Sequence, residues 1–155
     1  MKLSGLSLFF PCYNEEGNIE TVLRQALDEA PMTADRFEIL VIDDDSADGT
    51  GRKVQDAIAG GHPVKLFRHP VNRGYGEALK TGFRNARFEW AFYADGDGQF
   101  DLADLARLAD ETPRNSWRRR AAAVIASKKS LFSIARVIGR ALIEFALVFR
   151  DLRHF

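Results

Sequence analysis

Asp95 and Asp97, in the stretch FYADGDGQFD (Phe92–Asp101), stand two residues apart directly after an apolar run. In extended chain, side chains at i and i+2 point the same way, so both carboxylates can face one ligand. Gly96 and Gly98 permit tight turns and close backbone approach. With the amide oxygen of Gln99 the pair makes an all-oxygen donor set, which suits Mg2+ or Mn2+. Such ions keep open positions that phosphate oxygens fill, and a bound divalent ion can neutralise a diphosphate as it leaves. An Asp/Gly-rich turn that caps the next helix accounts for the same residues.

Two other acidic positions invite the same question. Asp43-Asp44-Asp45 closes the apolar run FEILVID and precedes Ser46. A carboxylate there can accept hydrogen bonds from a ribose hydroxyl or a base N–H, or can make a turn and cap the helix that starts near Thr50. Glu15, in PCYNEEGN, can do likewise or remain a solvated acid at a helix start. HPVNRGYGEALKTGF (His69–Phe83) brings Arg73 and Lys80 near a helix N-terminus, where backbone N–H groups and a cation suit a phosphate. Leu79 stands where a dinucleotide fingerprint needs its third glycine, and no P-loop occurs. His62, His69 and His154 lack ligand spacing and read as ordinary surface or loop histidines. Cys12, the single cysteine, reads as a small core or loop residue and excludes an intrachain disulfide.

These residues must be held by elements whose pattern is legible. LSLFF (Leu6–Phe10), FEILVID (Phe37–Asp43), Val64–Phe67 and WAFYAD (Trp90–Asp95) read as strands. Helical spacing links Ile19, Val22, Leu23, Ala26 and Leu27, then Thr50–Ala59, then Ala78, Leu79, Gly82, Phe83 and Ala86. Asp101 with Asp104 reads as a capped helix start, AAAVIAS (Ala121–Ser127) as one more strand, and Leu131–Phe149 as a long final helix. Strand alternating with helix predicts an α/β fold with a doubly wound, mostly parallel sheet. In such sheets ligands sit outside the carboxyl ends of the strands. The first, second and fourth strands all end in acidic residues there, so one carboxylate-rich crevice is expected.

The chain's 155 residues suit a single domain with a real core. Lys+Arg and Asp+Glu balance at 22 each, so no global field recruits nucleic acid. The N-terminal apolar run is too short for a signal peptide, and no stretch is uncharged for the ~18 residues of a membrane span. A soluble or membrane-peripheral cytoplasmic protein is expected.

PCYNEEGNIETVL, EILVIDDDSADGT, HPVNRGYGEALKTGF and DGDGQFD together, in this order, resemble family 2 glycosyltransferases of the GT-A fold. The resemblance is nearest to the dolichyl- and polyprenyl-phosphate mannosyl- and glucosyltransferases, and is dense from Leu6 to about Leu108. It implies an inverting transfer of a hexose from a GDP- or UDP-sugar, with a lipid phosphate as acceptor. It implies that Pro11, Tyr13 and Glu15 hold the base, that Asp44 contacts the nucleoside, and that Lys80 and Gly96 belong to the donor site. Asp95, Asp97 and Gln99 then surround a divalent metal on the diphosphate, with Asp97 as the catalytic member. Arg150-Asp151 matches a pair on the acceptor side. The resemblance divides one domain, 1–155, into a donor-binding half, 1–110, and a partial acceptor-side region, 111–155.

Two departures from the family pattern stand out. Asp45 occupies a position where many members have glycine or asparagine. Family catalytic domains also continue past the Arg-Asp pair, which predicts a chain incomplete on its acceptor side. In the final helix, Arg136, Arg140 and Glu144 make one narrow stripe on an apolar cylinder. It can cover the sheet, lie on a membrane surface with Lys128 and Lys129 toward headgroups, or expose a patch that drives homo-oligomerisation. Two alternatives remain: a nucleotide-binding fragment that transfers nothing, and a receiver-type signalling domain with Asp95 as phospho-acceptor, since ILVIDDDSA mimics the acidic pair of such domains.

Overall fold

The computed structural model describes residues 2–98, 102–106 and 109. Strands and helices alternate as β1 (Leu6–Cys12), α1 (Ile19–Thr33), β2 (Phe37–Asp43), α2 (Thr50–Ala59), β3 (Val64–Arg68), α3 (Tyr75–Asn85) and β4 (Trp90–Tyr93). A 3-10 turn follows at Leu102–Asp104. All pairings are parallel, in the order β3-β2-β1-β4. β1 and β2 lie inside the sheet and read as near-continuous apolar runs, interrupted by Ser7 and Glu38, because helices cover both faces.

Alternation across the pleat separates the two cores. Leu6, Leu8, Phe10 and Cys12 of β1, with Ile39 and Val41 of β2, pack against Ile19, Val22, Leu23 and Ala26 of α1 and Val54 of α2. On the other face Phe9, Leu40, Ile42 and Tyr93 meet Ala78 and Phe83 of α3. The Phe9 ring stands edge-on to Phe83 at 4.9 Å and stacks on Tyr93 at 5.5 Å. α3 reaches this distance because Gly82 has no side chain: a Cβ there would lie 2.2 Å from the Phe9 ring. Gly82→Ala would add helix propensity of about 1 kcal/mol in an open site. Here it must displace a fully buried ring, and a net loss of about 1–3 kcal/mol is expected in a urea or thermal melt.

The strand order decides between two readings. Receiver-type domains have the order 2-1-3-4-5, with β1 between β2 and β3. In this chain β1 lies between β2 and β4, and the acidic run follows β2. That is the 3-2-1-4 half of the nucleotide-binding winding, and it rules out the receiver reading. The order reverses between β1 and β4, so the crevice beyond their carboxyl ends lies at the topological switch point.

Element ends differ from expectation for local reasons. β1 extends through Pro11 to Cys12 although its strand is central. Ala94 donates to the Phe9 carbonyl, so Phe9 and Pro11 turn the same backbone edge toward β4. The paired register with β4 ends at Phe9–Tyr93, so the missing N–H of Pro11 breaks no ladder bond. α1 runs on to Thr33 with Pro31 in its last turn, where the missing N–H forgoes the one bond to the Leu27 carbonyl while Ala34 still closes onto Ala30. α3 starts at Tyr75, three residues before its first buried position, behind Gly74 at φ 85°. β4 stops at Tyr93, which releases Asp95 and Asp97 from the sheet into a turn. The expected cap at Asp101, strand at Ala121–Ser127 and helix at Leu131–Phe149 lie outside the described residues.

Candidate functional site

The carboxyl ends of β1, β2 and β4 open onto a crevice of about 380 Å3, lined by Pro11, Tyr13, Glu15, Asp44, Asp95 and Asp97, with Gly96 between the last two. Gly96 is buried against β1: a Cβ there would lie 2.4 Å from Sγ of Cys12. The glycine therefore lets the Asp95–Asp97 turn close onto the end of β1.

The loops after β1 and β2 are laced to each other. Ser46 Oγ accepts from the Asn14 amide at 2.9 Å, and Asn14 Oδ1 accepts from the Ala47 amide at 2.9 Å. Thr50 Oγ1 accepts from the Glu15 amide at 2.8 Å, and Asp48 accepts from the Glu16 amide at 3.0 Å and from Thr50. Glu16 in turn accepts from the Gly49 amide at 2.9 Å. Apart from the local Thr50–Asp48 bonds, each joins residues more than 30 positions apart, so Tyr13 and Glu15 sit on a braced rim rather than a loose loop. Asp45 holds the left-handed turn at φ 63°. A glycine or asparagine at that position needs no other explanation, since both tolerate that geometry. Asp45→Asn is expected to leave stability within about 0.5 kcal/mol, whereas Asp45→Val costs about 1–2 kcal/mol, readable as a lower melting temperature.

Asp43 and Asp44 divide their tasks. Asp43 is fully buried, accepts from the Ser46 amide at 2.9 Å, and faces Arg68 Nε at 3.4 Å. Asp44 is also buried, yet reaches the crevice. Its Oδ1 accepts from the Arg73 amide at 2.9 Å and Oδ2 from the Gly74 amide at 2.7 Å. Nδ1 of His69 lies 2.6 Å from Oδ1. Burial alone would raise the Asp44 pKa, but these bonds from Arg73, His69 and Gly74 outweigh it and hold the carboxyl below its usual value. His69 is therefore neither a surface nor an idle loop histidine. It is 6% exposed and bridges Asp44 to Thr81 Oγ1, 2.9 Å from Nε2. Its one signal in the sequence was its place directly after β3, at the same rim.

The Asp95–Asp97 turn carries the negative field. Burial raises the Asp95 pKa, a bond from the Tyr75 hydroxyl at 2.8 Å lowers it, and the charge of Asp97 raises it again, with a net rise. Burial, then the charge and the hydrogen bond of Asp95, push the Tyr75 phenol far up, so it stays a donor. Burial followed by Asp95 pushes Tyr93 up to about 12. Cys12 is raised by burial and then by Glu15, Asp43 and Asp95, so the thiol stays protonated. Groups around this crevice thus register an excess of negative charge, which a divalent cation would relieve. Two carboxylates meet what Mg2+ or Mn2+ asks of a protein when phosphates and water supply the remaining ligands. No group of three or more His, Cys, Asp or Glu side chains suited to a metal occurs among the described residues, and Gln99 lies outside them.

Three expectations need correcting or fall outside view. Lys80 does not line the crevice: its ammonium pairs with Glu77 at 2.7 Å, because position 80 lies on another side of α3 from Tyr75 and Ala78. The Arg73 guanidinium also pairs with Glu77, at 3.4 Å, so this loop meets the crevice through its backbone. Arg150 and Asp151 lie outside the described residues. Tyr75 was missed, since a tyrosine between two glycines carries no periodicity.

The family described as Glycosyl transferase family 2 matches residues 7–118. The chain belongs to that family. It is 29% identical over 157 residues to the dolichyl-phosphate beta-glucosyltransferase of Saccharomyces cerevisiae, with 93% of this chain and 47% of that protein covered. The solved mannosyltransferase of Pyrobaculum calidifontis, in complex with GDP-Man and Mn2+, superposes with a TM-score of 0.60 at 30% identity, over 70% of this chain and 32% of that one. TarS of S. aureus in complex with UDP-GlcNAc gives a TM-score of 0.53 at 26% identity, over 72% and 32%. The GT-A fold expected from the motifs is thus present. This glycosyltransferase-family chain spans about half the length of the curated relatives it matches. Among the described residues no helix is long and apolar enough to cross a membrane.

Proposed function

We propose that this chain supplies the donor-binding part of a hexosyltransferase that moves a hexose from a nucleotide diphosphate sugar to a polyprenyl or dolichyl phosphate, with inversion at the anomeric carbon. The observation that carries the reading is the meeting of Asp95 and Asp97 with Pro11, Tyr13, Glu15 and Asp44 in one switch-point crevice. Asp95 and Asp97 would hold the divalent ion, which when bound supplies the positive charge that stabilises the departing diphosphate. Tyr13 and Glu15 line the base end on their braced rim, Asp44 accepts from the nucleoside, and Gly96 seats the Asp95–Asp97 turn against the end of β1. Relatives named for dolichyl phosphate support a lipid acceptor. A phosphate monoester is already ionised near neutral pH, so the nucleophile needs no general base. Such an acceptor would bring the reaction to a membrane surface.

A second reading, nucleotide binding without transfer, draws on the chain's spanning about half of its relatives. One assay separates them: radiolabelled UDP- or GDP-hexose with Mn2+ and polyprenyl phosphate, followed by organic extraction. Label in the lipid phase supports the transferase. Bound nucleotide with no lipid-phase label and no donor hydrolysis supports the silent fragment.

A further inference from the structure

The hydrogen bonds of Asp44 bear on which base the crevice accepts. An ionised carboxylate offers about four lone-pair positions, two on each oxygen. Three of those on Asp44 are filled from within the chain. Oδ1 takes the Arg73 amide and Nδ1 of His69, and Oδ2 takes the Gly74 amide. The two amides cannot be withdrawn without unmaking the turn into α3, whose first residue follows Gly74 directly. His69 is fixed at its other end by Thr81 at 2.9 Å. With Nδ1–H donating to Asp44, Nε2 accepts the Thr81 hydroxyl proton, so both ring nitrogens are satisfied. Among the described residues no donor takes the remaining position, on Oδ2, in a residue that lines the crevice.

Bases differ in how many donors they offer such a group. Uracil presents one imide N–H between two carbonyls. Guanine presents N1–H and the N2 amino group side by side, an edge that a carboxylate satisfies only with both oxygens open. We propose that His69 is a specificity-determining residue: by occupying Oδ1 of Asp44 it leaves a single acceptor, and the crevice selects a uridine diphosphate donor over a guanosine one. The inference rests on reading the crevice as a nucleotide-sugar site. Guanine seated at Asp44 would leave its second donor unmatched by that carboxylate, and sites discriminate strongly on an unmatched buried polar group. His69 touches no substrate; it acts through Asp44.

The test is calorimetric titration with UDP and with GDP in the presence of Mn2+, on the chain as it stands and on His69→Phe. Phenylalanine keeps the ring but donates nothing to Asp44. The unaltered chain is expected to bind UDP at least about tenfold more tightly than GDP. His69→Phe is expected to narrow that ratio severalfold by reopening Oδ1. A histidine that merely supports the fold would weaken both nucleotides alike, and an unchanged ratio overturns its role. GDP binding as tightly as UDP to the unaltered chain overturns the base selection while leaving the donor site standing. Failure of both to bind overturns the donor site as well. Since the unaltered ratio needs no variant, poor folding of His69→Phe does not shelter the proposal.

Discussion

Asp97→Ala is expected to weaken Mn2+-dependent binding of a nucleoside diphosphate by at least ~100-fold, about 2.7 kcal/mol, while far-UV circular dichroism stays unchanged. Asp97 stands in a turn beyond the end of β4, partly exposed, and contributes nothing to the apolar cores. Its neighbour Asp95 is held above the usual carboxylate range by burial and then, against the pull of Tyr75, by the charge of Asp97. Two carboxylates kept close at that cost suit a cation and lose their purpose singly. Asp95→Ala should have the same effect on binding. Asp45→Asn, one loop away and outside the crevice lining, serves as the control and should bind as the unaltered chain does.

Glu38→Ala should have the largest effect on stability, about 2–4 kcal/mol, read from the denaturant midpoint. Glu38 lies at the amino end of β2, opposite the crevice, and is 2% exposed. Its Oε1 accepts from Ser7 Oγ at 2.7 Å and the Arg87 amide at 2.8 Å, and its Oε2 accepts from Lys65 Nζ at 3.0 Å and Arg87 Nε at 2.8 Å. One side chain thereby ties β1, β2, β3 and the entry to β4. Alanine leaves the Arg87 amide without that partner and removes charge-assisted bonds, each worth more than a neutral one. The cations are half-exposed and rehydrate, which keeps the loss below that of a fully buried pair. Burial alone would raise the Glu38 pKa, but the bonds from Arg87, Ser7 and Lys65 outweigh it and hold it low. A lowered acid contributes stability that is present above its unfolded value and lost as pH falls through the folded one. The unaltered chain should therefore lose stability below about pH 4.5, more steeply than Glu38→Gln, whose baseline is already reduced.

Sequence pattern carried the sheet well because the central strands are apolar on both faces and the helices amphipathic. FEILVID could be little else, and β2 spans those seven residues. Strand ends were harder. Pro11 reads as a stop in isolation, and only the offset between β1 and β4 makes it harmless. The rim motifs converge in the crevice because a parallel sheet brings all carboxyl ends to one side, a property of topology that sequence order alone supplies. What the spacing did not reveal is which charges are already spoken for. Lys80 looked available to a phosphate until Glu77, three residues earlier, was seen to hold it. Asp44 looked like an open acceptor until His69, 25 residues on, took one of its positions. Long-range partners of this kind leave no local period.

The crevice at the ends of β1, β2 and β4 is expected to hold a nucleoside diphosphate through a divalent ion. The most direct measurement is a calorimetric titration of the chain with UDP, with Mn2+ and then with excess EDTA. Saturable binding with Mn2+ that disappears with EDTA is the predicted result. Binding of equal strength in both, or none in either, would contradict it.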